Sequence, residues 1–387
     1  MKICYVADGA SIHTQRWVNY FAKKGHETHL ICWKVMPGYE DNVNVHLLTR
    51  LAPRIWTVSQ YLSFLLWILQ VRRLINRIKP DIVDGHFITV YGFLAACSGF
   101  HPLAISAWGS DILVQPKRNP LSKFTASYAG KKADMIICLF PIDVAKEHVD
   151  GLGIDSKKLR TLLLGVDTTK FSPCRRDEET RRDLGIDSSQ PVVISTRALA
   201  PIYNVETLVK AIPLVLAEMP QTRFVIVGAG EQQDYLRELV RDLGISNNTE
   251  FVGWIPRDQL PKYLSAADIY VSSSLSDGAS VSLLEAMASE LAPIVTDIPA
   301  NQSWINDGEN GFLFSARDDK ALASRIIYLL KNQKIGRDFG RRSREIVQKN
   351  AEEEIEMKKL ERIYHDLVEA KSTPRMQLKN RPSRRAE

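Results

Sequence analysis

Between Ala267 and Phe314 the chain passes from strand to helix to strand within a few residues per step, and no other stretch narrows the choice of fold so far. The run Asp268 to Ser273 is β-like, a turn rich in Ser, Asp and Gly follows, and an apolar helical pattern then recurs at Val281, Leu284 and Met287. A second strand, Ala292 to Thr296, comes almost at once, as in a parallel βαβ unit. The helix start presents backbone N–H groups at Ala279, Ser280, Val281 and Ser282, which with the helix dipole favour an anion such as a phosphate. Asp277 in the turn and Glu285 one turn into the helix bracket that anion site, and both can face a ligand lying across the helix start. Taken alone, the stretch also reads as an ordinary βαβ unit with a polar turn.

The first half of the chain repeats the same alternation. Lys2 to Ala7 is a buried strand, Asp8 to Ser11 a turn, His13 to Lys24 a helix ended by Gly25, and His26 to Cys32 a strand. This is the opening of a doubly wound sheet, whose ligands sit at the carboxyl ends of its strands. Tyr61 to Ile78 is the most apolar helix, with Trp67 in it, Trp56 before it and Arg72, Arg73, Arg77 and Lys79 trailing it. Two readings stand: a helix packed on the sheet with a solvated basic end, or one whose aromatic and basic residues meet a membrane interface. Further strands begin at Pro80 and Leu103 and end at Asp84-Gly85-His86 and Trp108-Gly109-Ser110-Asp111. Past a charged, irregular stretch from Pro173 to Gln190, strands recur at Val192, Phe224 and Glu250, and Gly228-Ala229-Gly230 is too short for a dinucleotide fingerprint.

With 387 residues, 45% of them hydrophobic, the chain suits two domains, and no run approaches the roughly 20 apolar residues that span a bilayer. It starts straight into KICYVA, so no signal peptide is expected. Five scattered cysteines imply a reducing cytosol with neither a disulfide framework nor a zinc site. A net charge of +6 suits a phosphate-bearing ligand or an anionic surface, and the basic segment from Lys371 reads as disordered. No zinc spacing, helix-turn-helix or other nucleic-acid signature is present.

Glu285-Ala286-Met287 preceded eight residues earlier by an acidic side chain, DGENGFLF at Asp307 to Phe314, Gly25-His26, and Gly165-Val166-Asp167 with Phe171 together resemble the retaining glycosyltransferases of family 4. That family has the GT-B fold, two Rossmann-like doubly wound α/β domains facing each other across a cleft. The resemblance covers about 350 residues and is strongest from Arg197 to Phe314. Six features depart from the pattern: Asp277 stands where Glu is usual, Glu290 where Gly is usual, Leu164 for Asn, Trp108 for His, Tyr203 at or next to an expected Lys, and the usual Gly pair is only partly present, as Gly9.

The resemblance implies an acceptor-binding domain at 1–172, a linker at 173–190, a donor-binding domain at 191–350, a helix at 351–370 returning to the first domain, and the basic tail at 371–387. It implies transfer of a sugar from a UDP- or GDP-sugar to an acceptor hydroxyl, in polysaccharide, glycolipid or glycoconjugate synthesis, with no cofactor and no metal. Arg197 and the Ala279 to Ser282 amides would stabilise the leaving diphosphate, Asp277 would contact the donor sugar and Glu285 the ribose. Gly9, Tyr203 and Ile255 would complete the donor side; His13, His86, Trp108 and Asp111 would lie toward the acceptor, with His86 and Asp111 as catalytic candidates. The acceptor would be a glycan, a lipid-linked or a small molecule, the location cytoplasmic with peripheral contact at the inner membrane face as one alternative, and no nucleic acid is involved. A GT-B nucleotide-sugar 2-epimerase and a non-catalytic nucleotide-sugar-binding subunit are the competing functions.

Overall fold

The computed structural model describes residues 1–49, 58–139, 142–173, 177–277 and 280–372, apart from the side chains of 58–63, 142–144 and 372. The chain divides into two units, Met1–Leu162 with Met357–Glu387, and Leu163–Glu356. In the first unit β1 (Lys2–Val6), β2 (Glu27–Cys32), β3 (Val43–Leu47), β4 (Ile82–His86), β5 (Leu103–Ala107), β6 (Met135–Cys138) and β7 (Leu159–Thr161) form a parallel sheet in the order β3-β2-β1-β4-β5-β6-β7. Strands such as KICYV and LAISA are buried almost throughout, and mostly apolar, because helices cover the sheet on both faces. The strand order reverses between β1 and β4, which places the loops after Val6 and His86 at a topological switch point.

The helix Val58–Ile78 packs on this sheet through Val71, Ile75 and Ile78. Trp67 lies edge-on to Trp33 with ring centroids 4.9 Å apart, and its indole N–H donates to the Thr49 carbonyl at 3.0 Å. Packing on the sheet is therefore what Trp67 does, while Leu65 and Leu69 on the same helix remain exposed. Trp56 lies outside the described residues. At the far end of the chain the helix Glu353–Ser372 joins the first unit from Met357 onward. Met357, Leu360 and Tyr364 recur at helical spacing and are buried, and Tyr364 stacks on Phe21 at 5.3 Å while its hydroxyl donates to Asp84 Oδ2 at 2.5 Å.

The second unit has the same plan. β8 (Val192–Ser195), β9 (Arg223–Val227), β10 (Thr249–Gly253), β11 (Ile269–Ser272), β12 (Ala292–Thr296) and β13 (Phe312–Phe314) are parallel in the order β10-β9-β8-β11-β12-β13. The helix Val281–Ala288 connects β11 to β12 and buries Leu284, Ala286 and Met287. Residues 163–190, read from the sequence as the end of the first domain and a linker, belong to this unit. The reason is packing: Val166 N–H donates to Ala351 at 2.8 Å, and the helix Glu178–Asp183, capped by Asp177, sends Arg181 into the interior to donate to the Ala266 carbonyl at 2.7 Å. Among the described residues no helix is long and apolar enough to cross a membrane.

Candidate active site

Arg197 follows the carboxyl end of β8 and is 8% exposed. Its approach depends on two glycines in the neighbouring loop. A Cβ on Gly228 would lie 2.2 Å from the Arg197 carbonyl oxygen and one on Gly230 2.3 Å from that of Leu199, so Gly228-Ala229-Gly230 makes room for the arginine's own loop. The guanidinium Nη2 meets Asp277 Oδ2 at 2.7 Å, Nη1 donates to Ser282 Oγ at 2.6 Å, and the Tyr203 ring centroid lies 4.2 Å from Cζ. Burial works against the charge, yet Asp277, with Tyr270 and Tyr203, outweighs it and holds Arg197 above its ordinary pKa. The cation is permanent.

Asp277 also lies 3.1 Å from Ser280 Oγ, whose proton it shares with Asn301 Oδ1 at 2.9 Å. Ser280 is the N-cap residue of the helix Val281–Ala288, and the first intrahelical bond runs from Leu284 N–H to its carbonyl at 3.0 Å. The amides of Val281, Ser282 and Leu283 have no carbonyl within the helix to bond, so they are donors for an anion beside Arg197. Ala279, read as a further donor, lies outside the described residues.

Glu285, one turn along the same helix, is 5% exposed and bound to a partner that the sequence did not suggest. Arg257 Nε and Nη2 both reach Glu285 Oε1, at 3.0 and 2.9 Å. No periodicity or motif links two residues 28 positions apart on different elements. Tyr203 ends a tight turn whose next residue, Asn204, sits in the left-handed region at φ 48°, and Ser273 Oγ donates to the Asn204 carbonyl at 2.8 Å. That bond ties the Tyr203 turn to the exit of β11. Ile255 is half-buried against the second core and Trp254 beside it is exposed.

The ends of β4 and β5 in the first unit carry rings in place of charges. His86, the last residue of β4, is 2% exposed and surrounded by Trp17, Trp108 and Tyr5 at centroid distances of 5.1, 5.3 and 5.5 Å. Its Nδ1 is 3.4 Å from Thr14 Oγ1, and Nε2 stands 3.7 Å from Asp84 Oδ2 without a hydrogen bond. Burial, and to a smaller extent His13, pushes its pKa down to about 3, so the ring is neutral. His13 lies 5.2 Å from the half-buried Trp108 and so joins the same ring cluster.

Asp111 is the main correction. A catalytic candidate on the acceptor side by its sequence, it is fully buried, and its two oxygens accept from the backbone N–H groups of Ile88, Gly109 and Trp108 at 2.8, 2.9 and 3.0 Å. Burial pushes its pKa up to about 6 against the pull of those amides, and its place is to fasten the loop that carries Trp108. Burial likewise makes His86 a wall of the ring cluster. Gly9 stands where a Cβ would come 2.5 Å from the Lys34 carbonyl, so close packing accounts for it. Among the described residues no three or more His, Cys, Asp or Glu side chains gather to hold a metal ion.

The model of the glycosyl transferases group 1 matches residues 176–346, and that of the glycosyl transferase 4-like family matches residues 2–139. The chain is a group 1, family-4-like glycosyltransferase. It is 24% identical over 389 residues to N-acetyl-alpha-D-glucosaminyl L-malate synthase of Bacillus anthracis, covering 94% of this chain and 96% of that one. It is 25% identical over 314 residues to the UDP-Gal:alpha-D-GlcNAc-diphosphoundecaprenol alpha-1,3-galactosyltransferase of Escherichia coli, covering 78% and 79% of the two chains. In structure the glycosyltransferase matches Anabaena Alr3699/HepE, solved in complex with UDP-glucose, with a TM-score of 0.78 and 16% identity over 95% of this chain and 100% of the other. Its two parallel-sheet α/β units are those of the GT-B fold.

Proposed function

We propose that this glycosyltransferase moves a sugar, with retention of anomeric configuration, from a UDP- or GDP-sugar to an acceptor hydroxyl in glycan, glycolipid or glycoconjugate synthesis. The observation that carries the reading is the buried Arg197 held against Ser282 at the start of the helix Val281–Ala288. A planar cation and unpaired amides converge where negative charge grows on a leaving diphosphate, and they act there as a fixed electrostatic site that needs no metal. Asp277 in this reading leaves Arg197 for the donor sugar once the diphosphate takes its place, and the diphosphate accepts the acceptor's proton. The names of the Escherichia coli relative and the Anabaena complex, which specify UDP-Gal and UDP-glucose, support a nucleotide-sugar donor. Proton NMR of the product, with the coupling at the new anomeric carbon compared with that of the donor, tests it. A product of inverted configuration, or nucleoside diphosphate release that no hydroxyl acceptor stimulates, contradicts it.

Peripheral contact with a membrane belongs to the same proposal. Leu65 and Leu69 on the helix Val58–Ile78 and Leu121 and Phe124 on the helix Pro120–Lys132 are exposed, and Phe93 links the two helices, 5.6 Å from Phe64 and 6.3 Å from Phe124. Arg72, Arg73, Lys117, Arg118 and Lys123 are exposed nearby in sequence, and neither helix contains an acidic residue. Apolar side chains beside uncompensated cations suit an anionic bilayer surface, and with it a lipid-linked acceptor. Flotation with phosphatidylglycerol-containing vesicles should recover the protein, and equal, negligible recovery with anionic and neutral vesicles removes the idea.

A further inference from the structure

We infer that Arg257 is a positioning residue for the nucleotide: by occupying one oxygen of the Glu285 carboxylate it leaves the other aimed at the ribose diol. The inference rests on the reading that Glu285 binds the ribose. Arg257 stands in the loop after β10, and its Nε and Nη2 converge on Oε1 alone, at 3.0 and 2.9 Å. Oε2 accepts no hydrogen bond from the described residues. An oxygen that already accepts two N–H bonds has little left to offer a hydroxyl, so the diol's two O–H groups are directed to Oε2. The guanidinium is steadied from its other side by Phe171, whose ring centroid is 5.6 Å from Cζ.

Stability alone is a poor account of the pair. The Glu285 side chain is 6% exposed and that of Arg257 20% exposed, and its neighbours on the helix, Leu283, Leu284 and Ala286, are buried and apolar. A buried ion pair contributes less than well-packed apolar side chains of the same size, so charge is retained here for what the carboxylate does. A lysine would not serve equally, because it has no pair of parallel N–H groups to fill Oε1 and fix the carboxylate plane. The same short helix carries Ser282, which Arg197 holds, so Arg257 and Arg197 hold two positions one turn apart on one helix.

The test compares calorimetric affinities for UDP and GDP, and for the 2′,3′-dideoxy form of whichever binds, in the wild-type protein and in Glu285→Gln, Arg257→Gln and Arg257→Lys. Wild type should prefer the ribose form by about tenfold or more, the ratio expected when a site built around a hydroxyl loses it. Glu285→Gln should erase most of that preference. Arg257→Gln should do the same while leaving affinity for the dideoxy nucleotide unchanged, and should raise the donor KM with little change in kcat. Arg257→Lys should fall between. If Glu285→Gln erases the preference and Arg257→Gln keeps it, the positioning role falls and the ribose reading stands. Equal weakening of both nucleotides in Arg257→Gln marks a merely structural pair and also overturns the inference. Should Arg257→Gln not fold, Arg257→Lys decides, and a wild-type preference in it is fatal. A preference that survives in Glu285→Gln, or no binding of either diphosphate, overturns the ribose reading and the inference with it.

Discussion

The two units share a strand plan and use it for opposite chemistry. Each sheet reverses its order beside the unit's first strand, β1 with β4 in one and β8 with β11 in the other. At the carboxyl ends in the second unit stand charges that hold one another, Arg197 with Asp277 and Arg257 with Glu285. At the corresponding ends in the first stand His86, Trp108 and Tyr5, over carboxylates, Asp84 and Asp111, that are wholly buried. In the proposed reading, paired ions at a strand end are released to an incoming anion, the diphosphate replacing one partner of an existing pair. Buried acids whose oxygens are already occupied offer no such exchange. The scaffold therefore sets where a ligand sits, and the side chains at the strand ends decide which kind.

The sharpest way to break this contrast is to remove a charge from the second unit without changing its shape. Asp277→Asn should lower sugar transfer roughly 100-fold, the scale of losing a charged group that acts in the transition state, while thermal unfolding stays near wild type. Asp277→Glu should retain part of the rate. Unchanged transfer in Asp277→Asn would reduce Asp277 to a partner of Ser280 at the helix start.

A smaller effect should appear in the first unit, in stability and not in rate. Burial pushes Asp84 up to about 6, although hydrogen bonds from Tyr364 and Ser106 pull it back. The folded state thus holds this proton more tightly than the unfolded chain does, so the contribution is complete below about pH 4 and is lost as the pH rises through 6. Relative to Asp84→Asn, which keeps an acceptor for Tyr364 but does not titrate, the wild type should lose about 2–3 kcal/mol between those pH values in urea unfolding. Parallel pH profiles for the two proteins would mean that Asp84 is ionised throughout.

Much of this was legible in the sequence because it is local. The strand, turn and helix around Asp277 and Glu285 declare themselves through spacing, and β8 ends near Arg197 as its apolar run implies. Glu290, where a glycine is usual, keeps the glycine's backbone, with φ 61° just past the helix Val281–Ala288. What the sequence could not show is pairing across elements. Arg257 meets Glu285, Tyr364 meets Asp84, and three amides close on Asp111 through distances that no local pattern encodes. Residues 173–190 looked like a linker for the same reason: their charge is visible, whereas the burial of Arg181 is not.

The smallest expected effect sharpens the view of the second unit. Tyr203→Lys exchanges a ring stacked on Arg197 for a second cation, and donor affinity measured by calorimetry should rise roughly two- to fivefold, the worth of a partly exposed ion pair. A fall in affinity would mean that the stacked ring, by holding the guanidinium plane, matters more than added charge.

The central claim is that Arg197 acts on charge that develops during the reaction, and Arg197→Ala tests it most directly when turnover and donor affinity are measured on the same preparation. Turnover should fall roughly 100-fold or more while the dissociation constant of the intact nucleotide sugar rises far less, because only an interaction strengthened in the transition state separates the two. A loss confined to donor affinity, with turnover at saturating donor unchanged, would show that Arg197 merely anchors the ground state and would contradict the account.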